Sequence, residues 1–132
     1  SQIETLFSKF GVCYHFDLHS MPHKAVKNMK NKPDIVLGNN YHKSCSLEFM
    51  HYIKSSFEKY GLKVSVNDPY AGGFITRNYG NPSKGIETLQ IEVNRDLYMD
   101  EENLLLKNIN SVQEIFSKIF NLFSYSPRIA AE

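Results

Sequence analysis

Three polar residues at alternate positions near the N-terminus have the types and the spacing of metal ligands. The stretch 12–18 (V-C-Y-H-F-D-L) has the pattern of a β-strand, in which alternate side chains lie on the same face. His15, Asp17 and His19 would therefore share one face, opposite the apolar side chains. Neutral imidazoles with a carboxylate to orient them suit zinc. Half-buried polar residues on an ordinary sheet surface give the same pattern, so both interpretations stay open.

A second group of candidate residues lies in the stretch 67–99, which is rich in glycine and arginine. It holds four of the seven glycines and two of the three arginines in the chain. Gly72 and Gly73 would let the backbone approach a ligand closely, and the fork of donors on Arg77 matches a carboxylate. The apolar strand that follows carries Glu92. This combination indicates part of a site, although a glycine-rich turn beside an ordinary strand would look similar.

The apolar periodicity predicts an α/β domain that would position these residues. The predicted strands are 12–18, 34–38, 62–66 and 86–94, and the predicted helices are 1–10, 46–60, a turn at 100–102 and a helix opened by a capping box at 111–114. Pro69 and the glycine pair exclude a regular element around them. We expect a mixed, mostly parallel sheet flanked by helices. Because ligands of such sheets gather where strands end, His19, the glycine loop and Glu92 could converge.

Length and charge limit the classes of function. With 132 residues, the chain is long enough for a single domain, 1–132, with a real core. Its 15 Lys and Arg residues balance 14 Asp and Glu residues, so no strong field would attract nucleic acid or an anionic membrane. No apolar run approaches the ~20 residues of a membrane helix. Two cysteines without a signal peptide favour a reducing compartment, and we expect the cytoplasm.

Several segments, in the same order along the chain, resemble the N-formylglutamate amidohydrolase family. They are D-L-H-S-M-P at 17–22, D-I-V-L-G at 34–38, N-D-P-Y-A-G-G-F-I-T at 67–76, Y-G at 79–80 and L-Q-I-E-V-N-R-D-L-Y-M-D at 89–100. A more distant likeness is to zinc carboxypeptidases, which also carry His-Ser after a strand and a catalytic glutamate in an apolar strand. The resemblance implies a carboxypeptidase-like fold and the hydrolysis of N-formyl-L-glutamate to formate and L-glutamate, in histidine degradation.

The resemblance also implies roles for individual residues. His19 would be a zinc ligand, and Glu92 would be the general base that takes a proton from zinc-bound water and returns it to the leaving amine. The candidates for binding the substrate, an N-acyl amino acid, are Arg77, Tyr79, Asn94 and Arg95. Either arginine could hold a substrate carboxylate, although Arg95 could instead brace Glu92. The tyrosine lies where the carboxypeptidases have a mobile tyrosine, and the asparagine could orient Glu92 or simply bind the backbone.

The chain departs from the family in its length. Family members are longer, and a carboxypeptidase-type site has its first His and Glu zinc ligands in the N-terminal half. No H-x-x-E precedes His19, and His15 is the only candidate there. We therefore expect a partial chain with an incomplete zinc site, and an exposed apolar surface or sheet edge that a second copy or a complementing N-terminal chain would cover. The alternative function is a catalytically inactive remnant that serves assembly or binds an acidic ligand.

Overall fold

The main sheet of the protein has four strands and is mixed. The computed structural model describes residues 2, 3, 5 and 11–123. The strands are β1 (Cys13–Met21), β2 (Ile35–Gly38), β3 (Val64–Val66) and β4 (Ile86–Asn94), in the order β1-β4-β2-β3. β4 is parallel to β1 and antiparallel to β2, and β2 is parallel to β3. The expected mixed, mostly parallel sheet is confirmed.

Two long helices pack on one face of this sheet. α1 (Leu47–Lys59) begins after Ser46, whose hydroxyl accepts a hydrogen bond from the Phe49 N–H at 3.1 Å, as a helix cap does. α3 (Ile109–Asn121) packs beside it. The core between the helices and the sheet is built from buried apolar side chains, namely Ile35, Leu37, Cys45, Phe49, Met50, Ile53, Phe57, Leu89, Ile91 and Ile119. Because side chains alternate along a strand, this packing turns the other side chains of β4 to the opposite face.

The opposite face is covered by the glycine loop and a short helix. α2 (Phe74–Tyr79) follows Gly73 directly, although Pro69 and the glycines predict no regular element there. The expectation is wrong because the glycines precede the helix rather than interrupt it. The Gly73 carbonyl accepts the first helical hydrogen bond from the Arg77 N–H at 3.1 Å and a bond from the Thr76 hydroxyl at 3.0 Å. The loop thereby ends in a helix turn beside β4.

Two other local predictions differ from the structure. α3 begins at Ile109, so Ser111 lies inside its first turn and does not cap it. The stretch 100–102 forms no helical turn. The Asp100 carboxylate accepts hydrogen bonds from the backbone N–H groups of Glu102 and Asn103, at 3.1 and 3.2 Å. Instead β5 (Met99–Asp100) pairs with β6 (Leu105–Leu106). Of the predicted helix 1–10, residues 2, 3 and 5 are helical, and the rest lies outside the described residues.

β1 forms one edge of the sheet, and its outer side is paired with no strand among the described residues. Three large apolar side chains on or beside this strand are exposed, namely Val12, Tyr14 and Leu18. The sheet edge that the sequence predicts to be exposed is therefore present in these residues. No helix within the described part of the chain is long and apolar enough to span a membrane.

Candidate active site

Four polar side chains of β4 and the facing residues of β1 form a polar double row. The β4 members are Thr88, Gln90, Glu92 and Asn94, all of them buried, and their Cα partners on β1 are His15, Asp17, His19 and Met21. Parallel neighbouring strands lie about 4.8 Å apart. The register therefore places His19 beside Glu92, and Asp17 beside Gln90. The convergence of His19 and Glu92 follows directly from this pairing.

Glu92 is the most chemically suggestive member of the double row. Its side chain is only 9% exposed and makes no hydrogen bond or ion pair within the described residues. Burial raises the pKa of its carboxyl group, and the charge of Asp17 raises it further, while His19 and Arg95 partly offset the rise. A carboxyl group with a raised pKa is a stronger base once it is ionised, which suits it to accept a proton from water.

His19 and His15 do not act together as the spacing suggests. His19 Nε2 lies 3.0 Å from the Asp17 carboxylate, and its side chain is 46% exposed. The ring of His15 instead stands edge-on to that of Tyr79, with its Nδ1 3.4 Å from the Thr88 hydroxyl. No group of three or more His, Cys, Asp or Glu side chains in the described ranges could hold a metal ion. Within the described ranges, His15, Asp17 and His19 therefore do not form the metal-binding row that their spacing suggests.

Asn94 and Arg95 are held by contacts at the carboxyl end of β4. The Asn94 amide donates to the Pro33 carbonyl oxygen at 3.1 Å and to His23 Nδ1 at 3.1 Å, while its oxygen accepts from the backbone of the next turn. Arg95 donates from Nε to the Ser20 hydroxyl at 3.2 Å. Its contacts give Asn94 a structural role. The bond to Ser20 holds Arg95 at a position where its charge lowers the pKa of Glu92.

Comparison with known proteins identifies the family of the chain. Residues 1–99 match the family model of N-formylglutamate amidohydrolases. The chain belongs to this family. It is 30% identical over 102 residues to an N-formylglutamate deformylase of Pseudomonas putida, a match that covers 76% of the chain and 38% of the relative. It is 29% identical over 106 residues to the deformylase of Pseudomonas aeruginosa, with coverages of 76% and 39%.

A solved structure shows the same fold. The crystal structure of N-formylglutamate amidohydrolase from Ralstonia eutropha JMP134 is similar to the chain with a TM-score of 0.79 and 28% sequence identity. The match covers 97% of the chain and 47% of the solved protein. The chain thus spans less than half the length of the relatives that it matches.

Two further candidate residues lie on α2. Arg77 is exposed and forms no ion pair with any described residue. Tyr79 contacts His15 edge-on, with ring centroids 6.1 Å apart, and both line an open groove of about 410 Å³. Tyr79 therefore lies at the amino end of the double row, whereas Glu92 lies further along the row and Arg95 follows its carboxyl end. The structure does not bring all the candidates to one point.

The loop before α2 lies unusually close to the sheet. A β-carbon at Gly38 would lie 2.7 Å from the Ala71 carbonyl carbon, and Gly38 is the Cα partner of Gln90. Only a glycine at this position lets the loop reach the middle of β4. Gln90 is not among the candidate residues that the sequence suggests, although it lies on the same face of β4 as Glu92. The alternation of Gln90 with Glu92 could have suggested it as a candidate, but nothing in the sequence predicts the close approach of the loop.

Proposed function

We propose that this chain contributes the catalytic carboxylate of an N-formylglutamate amidohydrolase, which hydrolyses N-formyl-L-glutamate to formate and L-glutamate. The observation that carries the proposal is Glu92, which is buried, free of hydrogen bonds within the described residues and paired in register with His19. Membership of the family and the two deformylase relatives support the choice of substrate. The reaction places the protein in the degradation of histidine, and the two free, buried cysteines fit a cytoplasmic location.

In the proposed chemistry Glu92 transfers protons in both halves of the reaction. It takes a proton from water as the water oxygen bonds to the formyl carbon. It then gives this proton to the amide nitrogen as the carbon–nitrogen bond breaks, so that formate and the free amine of L-glutamate leave. Each proton that Glu92 accepts is returned, and the carboxylate is restored. The pKa raised by burial keeps the group basic enough for the first step.

The family resemblance implies zinc, and the described residues alone do not fit a zinc site. We propose that His19 supplies one ligand, oriented by the Asp17 carboxylate 3.0 Å away. The remaining ligands would come from a segment outside the described residues, because tight zinc sites use three or four protein ligands. The relatives are long enough to hold such a segment, since the match covers only 38% of the P. putida deformylase.

We assign the substrate carboxylate to Arg77 rather than to Arg95. Arg95 already donates to Ser20 and lies 3.7 Å from the Glu101 carboxylate. The guanidinium of Arg77 makes no ion pair with the described residues and is exposed on α2. An arginine with unused donors can bind a carboxylate through two hydrogen bonds without first breaking a contact.

The outer edge of β1 is where we propose that the complementing segment binds. Its backbone groups are unpaired among the described residues, and exposed Val12, Tyr14 and Leu18 surround it. An open edge strand readily accepts a further strand. A second copy of the chain at this edge would give a homodimer instead, and the mass in solution separates the two.

The test measures formate release from N-formyl-L-glutamate in the presence of zinc. The chain is assayed alone and together with the part of the P. putida deformylase that it does not match. We expect hydrolysis by the pair, little by the chain alone, and a loss of at least ~100-fold in kcat on Glu92→Gln. The control is Glu114→Gln, which removes an exposed carboxylate on α3 and should leave kcat unchanged. Undiminished hydrolysis by the Glu92 variant would overturn the proposal.

A further inference from the structure

The side chain of Gln90 is buried and yet has no hydrogen-bond partner in the described residues. It is only 6% exposed, in the middle of the double row. Buried amides are usually fully hydrogen-bonded, because an unsatisfied amide loses its contacts with water. No completely buried side-chain nitrogen or oxygen in the described ranges lacks a partner. The Gln90 amide must therefore still reach the solvent through a small opening, as a group that receives a ligand does.

Gly73 leaves this opening free. A methyl group built on Gly73 would lie 3.9 Å from Gln90 Oε1 and within 4 Å of no other atom outside its immediate neighbours. No steric clash with a neighbouring side chain or loop therefore requires glycine at this position. What a side chain would do here is cover the amide oxygen of Gln90.

The surrounding charges indicate what kind of group binds there. Asp17 is the Cα partner of Gln90, and Glu92 is two residues further along the same face. Two carboxylates at neighbouring positions of the double row disfavour a further anion and favour a hydrogen-bond donor. A carboxylate of the substrate is therefore a poor match for this position, whereas an amide N–H is a good one.

We propose that Gln90 Oε1 accepts a hydrogen bond from the amide N–H of the N-acyl amino acid substrate. Alternate residues of a strand stand roughly 6–7 Å apart. This spacing leaves room for a nitrogen about 2.9 Å from Gln90 Oε1 to lie between Gln90 and Glu92, within reach of the carboxylate that must protonate it. The bond would select secondary amides, because esters and N-alkylated amides have no N–H to donate. This inference rests on the proposed function, since the substrate class comes from it.

The experiment compares two probes that differ at one group. N-formyl-L-glutamate carries the N–H, and its ester analogue has an oxygen in the same place. Binding of each to the 132-residue chain is measured by titration calorimetry. We expect the unsubstituted chain to bind the amide about tenfold more tightly or better, and Gln90→Met to remove this preference while leaving the affinity for the ester unchanged.

Two further variants keep the experiment interpretable. Gly73→Ala should weaken binding of the amide without unfolding the chain, because it covers the acceptor and creates no clash. Asn121→Met likewise removes a side-chain amide, at an exposed position at the end of α3, and should alter neither affinity. The melting temperature of each variant is recorded. Equal losses for both probes, no loss for either, or no binding of either probe by the unsubstituted chain would overturn the inference.

The outcome for Gln90 is separate from the outcome for the proposed function. Normal formate release by the Glu92→Gln variant overturns the function, whatever Gln90 does. Loss of release in that variant, together with an unchanged preference for the amide in Gln90→Met, overturns the Gln90 inference and leaves the function standing. Binding and catalysis are read in different assays, so one failure cannot be mistaken for the other.

Discussion

Two buried amide side chains on the same face of β4 differ in their hydrogen bonding. Asn94 is 3% exposed and Gln90 is 6% exposed, and only three residues separate them. The Asn94 amide binds the Pro33 carbonyl, His23 and the backbone of the following turn. Gln90 binds nothing in the described part of the chain. Burial alone therefore does not separate a structural residue from one that serves a ligand.

The difference lies in whether the polar atoms are already satisfied. A buried amide with internal partners stabilises the fold, and removing it leaves those partners without theirs. A buried amide without partners contributes no such bond to the folded state, so its polarity is retained at a cost. Glu92, which has neither a hydrogen bond nor an ion pair in the described ranges, resembles Gln90 in this respect. The middle of the double row is thus left open, and its carboxyl end is closed.

The largest expected effect on stability comes from removing the side chain that closes the carboxyl end of the double row. Asn94→Ala removes three contacts and leaves the Pro33 carbonyl and the His23 ring without their partner. We expect the free energy of unfolding in urea to fall by about 2–4 kcal/mol. Gln90→Met is the matched comparison and should change it by less than about 0.5 kcal/mol, because no internal bond is lost. Equal destabilisation of the two variants would contradict the contrast between the amides.

The loop that approaches Gln90 provides the next prediction. In Gly38→Ala the new methyl group would overlap the backbone at Ala71, 2.7 Å away, so the loop must move off the sheet. We expect a loss of about 1–3 kcal/mol in the free energy of unfolding, as in other overpacked sites. Gly73→Ala meets no such contact and should cost little. If the two alanines destabilise the chain equally, the loop does not lie where the structure places it.

The strands and their polar faces could be predicted from the sequence. Alternation sets the bounds of β4 and places Glu92, Gln90 and Asn94 together on one face. The pairing of His19 with Glu92 then follows once β1 and β4 are neighbours. These features depend on local pattern, and local pattern survives folding because one face of each strand must enter the core.

The partners of these side chains could not be predicted. His15 has the spacing of a ligand row with His19, and yet it turns to Tyr79 and Thr88, which are distant in sequence. Likewise, nothing near Asn94 in the sequence predicts its hydrogen bond to the Pro33 carbonyl. Such contacts depend on which loop reaches the face, and a single sequence does not encode that in its periodicity.

A smaller effect concerns the ionisation of Glu92. Its pKa is raised chiefly by burial, so the folded state binds the proton more tightly than the unfolded chain does. The stability of the native chain should therefore fall as the pH rises from the ordinary glutamate pKa of about 4.3 through the higher folded value. We expect Glu92→Gln to be the more stable protein at pH 7, and the advantage to vanish at about pH 4. Urea titrations at several pH values measure it, and a variant that is less stable at pH 7 would contradict the open middle of the row.

The smallest effect is expected from His15, at the amino end of the row. Burial lowers the pKa of its imidazole, and the Asp17 carboxylate partly offsets the shift. The folded state therefore favours the neutral ring, and its contribution to stability is complete above the ordinary histidine pKa of about 6.5 and is lost as the pH falls from there through the lower folded pKa. His15→Gln should flatten this part of the pH profile, and the comparison is His51→Gln on exposed α1. An unchanged dependence of the free energy of unfolding on pH in the His15 variant would mean that the ring is as exposed to water as that of His19. The amino end of the double row would then be open, like its middle.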